Sequence, residues 1–146
     1  TGGNVHDEVL KFLSQRTYLN WKYREGALTS QSNFSPSDKP IVLLINEQSL
    51  SDAEMTAQGF KALKLGTIIG NETYRWIIFT SGVGLVDGSS VRMPGWGCYT
   101  LDGKDLEMSG VQPDIKVINT FEDQINGRDP QIDKAEDEIL KQLGKK

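Results

Sequence analysis

The sequence predicts an α/β fold with a mixed, mostly parallel sheet, flanking helices and added hairpins, and three observations carry it. Pro40-Ile41-Val42-Leu43-Leu44-Ile45 is an unbroken apolar run, and behind it Ala53, Met55, Ala57, Phe60 and Leu63 recur at helical spacing. Thr67-Ile68-Ile69-Gly70 follows as a second short apolar run. Strand, helix and strand in that order over roughly 30 residues form a right-handed βαβ unit, whose strands run parallel. Farther on, Pro94-Gly95 and Asp102-Gly103 separate β-prone stretches, and with Asp87-Gly88 they predict antiparallel hairpins attached to the core.

Taken in order, Thr1-Gly2-Gly3-Asn4 opens a helix in which Val5, Val9, Phe12 and Leu13 recur at helical spacing. Asp7 and Glu8 stand in its first turn, where the helix dipole favours acids. Tyr18 to Tyr23 has strand character, and residues 25–39, rich in Ser, Asn and Pro, read as a surface loop. Ile41 to Ile45 reads as a strand buried on both faces, as in parallel sheets under helices. Leu65-Gly66 stops the helix that follows it. Ile77-Ile78-Phe79 and Leu85-Val86 have β character, with Thr80-Ser81-Gly82 read as a break between them. Residues 107–115 form a loop leading into a strand at 115–118. The last helix starts at N-cap Asp129 with Pro130 at its first position, and Ile132, Ala135, Ile139 and Leu143 form its apolar stripe.

Composition narrows the function. The 146 residues are a one-domain length able to bury a core, with 37% hydrophobic and 25% charged residues. A net charge of −4 and a pI near 5.0 argue against a nucleic-acid surface. The single cysteine, Cys98, excludes an internal disulfide, and no cluster of Cys and His has zinc-ligand spacing. No apolar run approaches the ~20 residues that span a membrane. Gly82-Val83-Gly84 lacks the third glycine of a dinucleotide fingerprint. Met55, Met93 and Met108 read as gap-fillers. The start at Thr1, directly before a glycine pair, suggests a piece of a longer protein.

Chemistry concentrates in Asn46-Glu47-Gln48-Ser49-Leu50-Ser51-Asp52-Ala53-Glu54, where the first apolar strand turns into its helix. Such a turn aims backbone N–H groups and the positive end of a helix dipole at one small volume. A serine exposed there can attack a carbonyl while the neighbouring N–H groups stabilise the oxyanion. Ser49, Ser51 and Asp52 are equally the residues that cap helices. Gly2-Gly3 presents the same two readings: a plain loop, or a close backbone approach offering N–H donors.

The order Gly-Gly before a helix, Asn-Glu-x-x-x-Ser-Asp-x-Glu after an apolar run, Ile-Gly-x-x-Thr, Glu-x-x-Gly-Val-x-Pro-Asp-Ile and Gly-Arg-Asp-Pro-Gln-Ile-Asp resembles one known group. It is similar to the C-terminal half of the catalytic core of tricorn-type serine peptidases, relatives of the tail-specific and C-terminal-processing peptidases. The resemblance runs from Gly2 to about Leu143. It implies a ClpP/crotonase-like fold and peptide hydrolysis through an acyl-enzyme on Ser51. It also implies oxyanion donation by the N–H groups of Gly3 and Asp52, and a carboxylate, Glu107, belonging to a Ser/His/Ser/Glu tetrad. No metal or organic cofactor is implied. Implied partners are peptide or unfolded-protein substrates, the remainder of the parent peptidase and further copies of it, in a cytoplasmic setting without nucleic acid or membrane.

Two departures shape the expectation. Relatives with a Ser/Lys dyad carry a lysine in the segment matching Glu72-Thr73-Tyr74-Arg75-Trp76, which holds none. Arg75 is no substitute, because a guanidinium does not deprotonate at workable pH. The histidine and first serine of the tetrad then fall in a preceding part of the protein, so this chain alone is expected to be inactive. The only histidine, His6, reads as a surface residue and not the base. Where relatives that prefer basic residues place an acid, Trp21 stands, which points to a hydrophobic preference or to plain strand packing. The rival reading is a non-catalytic ligand- or peptide-binding module on the same fold, and an acyl-CoA enzyme would use the same paired donors without needing Ser51.

Overall fold

The computed structural model describes residues 2–30 and 39–144. Its centre is a three-stranded parallel sheet of β3 (Val42–Ile45), β4 (Thr67–Gly70) and β7 (Ile115–Lys116), in the order β3-β4-β7. The predicted strand–helix–strand unit is there, with α2 (Asp52–Ala62) between β3 and β4. The pleat sends alternate side chains to opposite faces. Leu43 and Ile45 join Phe60, Ala57 and Ile68 in the main core, whereas Val42 and Leu44 face Ile132, Ala135 and Ile139 of α5 (Pro130–Gln142). β3 is therefore covered by helices on both sides, but it is an edge strand, and Leu44 is exposed. The strand buried throughout its apolar positions is β4, with Ile68 and Ile69 fully buried.

α1 (His6–Ser14) lies against α2, with its closest packing at Gly59. A Cβ on Gly59 would stand 2.2 Å from Leu10 Cδ1, so the missing side chain of Gly59 is the seat that Leu10 occupies. β4 ends at Gly70, where φ is +136° and a Cβ would meet the Ile45 carbonyl oxygen at 1.8 Å. Only glycine fits there.

The outer elements depart from the expectation in detail. β1 (Asn20–Lys22) pairs antiparallel with β2 (Leu28–Ser30), so part of the predicted 25–39 loop is a strand, and residues 31–38 of that loop lie outside the described residues. β5 (Phe79–Gly84) runs straight through Thr80-Ser81-Gly82, and β6 (Ser90–Trp96) runs through Pro94. Pro94 is tolerated because the hairpin has only two strands and an irregular register between Phe79 and Thr80. The hairpin turn is at Asp87-Gly88, as predicted. Residues 106–109 form a single helical turn, α3 (Leu106–Ser109), and the strand after it stops at Lys116. A short helix, α4 (Phe121–Ile125), was not anticipated. Met93 and Met108 are exposed and fill no gap. At α5 the reading holds: the Asp129 carboxylate accepts from the N–H groups of Gln131 and Ile132, with Pro130 in the first turn.

Candidate active site

The turn between β3 and α2 is built by short-range hydrogen bonds. The Ser49 hydroxyl accepts the Asn46 N–H at 3.2 Å, which makes Ser49 a turn residue. Two residues on, Ser51 has φ +56° and ψ −115°, a conformation that L residues with side chains seldom adopt. Ser51 is the N-cap of α2, with Glu54 at the third helical position completing a capping box, but its backbone lies far from the extended conformation usual for a cap. The strain is maintained from outside. The Ser51 N–H donates to the Trp76 carbonyl at 3.1 Å and to Glu54 Oε2 at 2.9 Å.

Glu54 is the hidden support. Fully buried, its carboxylate also accepts from the Trp76 N–H at 3.0 Å, the Arg75 N–H at 2.8 Å and the Thr73 hydroxyl at 2.7 Å. Thr73 Oγ1 in turn accepts the Val111 N–H at 2.8 Å. The Glu72–Trp76 loop and the start of the 110–117 segment are thus fastened to the nucleophile turn through one carboxylate. Arg75, at φ +71°, turns its guanidinium away to Glu72, with contacts of 2.8 and 2.6 Å.

The glycine pair passes directly over this turn. A Cβ on Gly2 would lie 3.6 Å from Ser51 Oγ, and one on Gly3 3.6 Å from Asp52 Oδ2. The N–H groups of Gly3 and Asp52 donate to no protein group among the described residues. Gly2, Gly3 and Ser51 share the wall of a cavity of about 780 Å³, completed by Leu50, Met55, Ile77, Phe79 and others, with Arg92 at one side. The N-termini of α1 and α2 meet here; the first N–H groups of α1 are taken by the Asp52 carboxylate, and the N-terminal end of α2 is the one that stands beside Ser51.

His6 departs from its reading as a surface residue. Its side chain is only 18% exposed, and Nδ1 lies 2.6 Å from Asp52 Oδ1. Asp52 is itself buried, and its carboxylate accepts from the Val5 N–H at 3.1–3.2 Å and the His6 N–H at 3.4 Å. Burial pushes the Asp52 carboxyl up, but these N–H groups and the His6 ring outweigh it and hold the group below its ordinary value. The other ring nitrogen, Nε2, is 3.6 Å from the exposed Asp7, and no hydrogen bond joins His6 to Ser51. His6 is not placed as the base for Ser51. The spacing of His6 from Asp52 gave no signal for this pair, and Glu54 stood in the recognised motif without a role.

Gly3, Ser51 and Asp52 are brought together; Glu107 and Trp21 are not among the cavity residues. Glu107 is exposed on α3, its N–H held by Asp105, while neighbouring Leu106 is anchored in the core. Trp21 is exposed on β1, opposite Thr29. Among the described residues no group of three or more His, Cys, Asp or Glu could hold a metal ion, and no helix is long and apolar enough to cross a membrane.

Known proteins resemble this chain in sequence and in fold. The profile of Peptidase family S41 matches residues 2–117. The chain is 36% identical to a tricorn protease homolog of Saccharolobus solfataricus and 31% identical to the tricorn protease of Thermoplasma acidophilum, in each case over 97% of the chain and 13% of the relative. The crystal structure of the tricorn protease superposes with a TM-score of 0.83 at 29% identity, over 97% of this chain and 14% of that one. A photosystem II D1 C-terminal processing protease superposes at 0.58 with 26% identity, over 80% and 32%. The chain therefore spans a small fraction of the proteins it matches.

Proposed function

The chain belongs to peptidase family S41, and from that premise we propose that it is the nucleophile-bearing, C-terminal catalytic part of a longer serine peptidase of the tricorn kind. The observation that supports this most is the left-handed Ser51 at a strand-to-helix turn with the Gly2-Gly3 backbone against it. A strained residue of this sort persists only where its surroundings enforce it, and such residues gather at active sites.

Ser51 Oγ attacks the carbonyl carbon of a peptide bond as its proton passes to a base. The carbonyl oxygen becomes an oxyanion held by the N–H groups of Gly3 and Asp52 and by the N-terminal end of α2. Collapse breaks the C–N bond, the departing amine takes a proton, and the acyl group remains on Ser51 as an ester. Water then hydrolyses that ester and restores the hydroxyl. The base and first serine come from the preceding part of the parent, and Glu107 is their carboxylate partner once that part is in place. Substrates are peptides or unfolded chain ends. Leu50, Met55, Ile77 and Phe79 give the cavity an apolar wall suited to a hydrophobic side chain, and Trp21 is not part of that wall.

The test is hydrolysis of fluorogenic peptides by the full-length parent. Ser51→Ala is expected to lower kcat by about 10³-fold or more with KM little changed. Unchanged turnover in a folded Ser51→Ala protein would overturn the assignment.

A further inference from the structure

We propose that the His6–Asp52 pair is a positioning device that holds the two oxyanion donors in register, an inference that rests on the reading of Ser51 as nucleophile. One residue, Asp52, carries both parts of the device. Its backbone N–H is one donor, and its side chain clamps the chain that carries the other. The carboxylate accepts from the N–H groups of Val5 and His6, the first orphan donors of α1, which has no side-chain cap of its own. Gly3 is two residues before Val5 and lies against the same carboxylate. A shift of α1 relative to α2 therefore moves the Gly3 N–H away from the Asp52 N–H.

His6 makes the clamp chemically tolerable. A buried carboxylate next to a forming oxyanion opposes it electrostatically unless its charge is satisfied. Nδ1 carries hydrogen here, because a carboxylate offers only acceptors, and at 2.6 Å it is the shortest of the contacts to Asp52. The ring also covers the carboxylate, leaving the Asp52 side chain 4% exposed. His6 and Asp52 touch no substrate atom in this account. Their action is through the backbone.

The experiment uses the full-length protein and the variants His6→Leu, His6→Asn and Asp52→Ala. Asparagine keeps a donor near the Nδ1 position; leucine does not. Fluorophosphonate titration first counts intact sites, and kcat per titrated site, KM and inhibition by a peptide aldehyde are then measured. The aldehyde adduct places an oxyanion in the same hole. The expected result is a roughly tenfold fall in kcat for His6→Leu with KM changed less than about threefold. Aldehyde inhibition should weaken by a similar factor, and His6→Asn should recover most of both. Asp52→Ala is expected to lose about 10²–10³-fold; if it fails to fold, the histidine pair decides alone. Wild-type kcat and aldehyde affinity per site in His6→Leu, or a change in KM alone, would overturn the positioning role while leaving Ser51 as nucleophile. Absence of any Ser51 adduct in the wild type would overturn both.

Discussion

The Thr73 hydroxyl donates to Glu54 Oε1 at 2.7 Å, and this contact joins two loops distant in sequence to the turn that carries Ser51. Glu54 accepts from four protein donors in all, so the carboxylate fixes the shape of the site without touching its cavity. Glu54→Ala takes the partner from the Thr73 hydroxyl and from the Arg75 and Trp76 N–H groups, and leaves the Ser51 N–H with the Trp76 carbonyl alone, at about 3 kcal/mol of local stability. Native-state hydrogen exchange in the parent should show the Ser51, Arg75 and Trp76 amides losing most of their protection, with distant segments unchanged.

Thr73 is both donor and acceptor, which allows a sharper version. Thr73→Val keeps the shape and removes both hydrogen bonds, to Glu54 and from Val111, and is expected to cost about 2 kcal/mol locally. Thr73→Ser should cost less than half of that. Equal exchange rates in the two variants would show that the hydroxyl is dispensable.

Asp52 sets the acid limit of the α1–α2 junction. Its folded-state carboxyl is held below the ordinary value, because donation by Val5 and His6 exceeds the opposing effect of burial. A depressed folded pKa contributes stability that is present above the unfolded value of about 4 and is lost as pH falls through the folded value. The junction should therefore be intact at neutral pH and loosen only below about pH 4. Amide protection of Val5 and His6 should follow that course, and Asp52→Asn should abolish the dependence. Asp129, held low mainly by Asn119, adds a parallel loss at the start of α5, so the comparison needs amides of α1.

Gly59 tests the seat of α1. In most helix interiors Gly→Ala stabilises by about 1 kcal/mol. Here the added methyl would stand 2.2 Å from Leu10 Cδ1, and overpacking should reverse the sign to a loss of about 1–2 kcal/mol. Gly59→Ala combined with Leu10→Ala should be less destabilised than the sum of the single variants, as measured by exchange of α1 amides.

Much of this was legible in the sequence, for reasons that differ by element. The parallel unit around α2 was readable because continuous apolar runs and helical spacing are strong local signals, and Asp129-Pro130 because a cap is a local rule. Ser51, Gly3 and Asp52 could be nominated from their motifs. The course of β5 and β6 was misread because Pro94 and the Thr80-Ser81-Gly82 stretch carry turn signals that an isolated two-stranded ribbon overrides. The contacts of His6 with Asp52 and of Glu54 with Thr73 have no local signature. They exist only because packing of α1 on α2, and of the Glu72–Trp76 loop on the helix start, brings residues far apart in the chain to hydrogen-bonding distance.

The central claim is that Ser51 is the nucleophile, and covalent capture tests it most directly. The full-length parent would be treated with a fluorophosphonate probe, digested, and the modified residue located by mass spectrometry. One adduct is expected, on Ser51, absent in Ser51→Ala while Ser49 stays unmodified. An adduct on another serine, or none from a folded parent, would contradict it and leave the left-handed Ser51 as a structural turn.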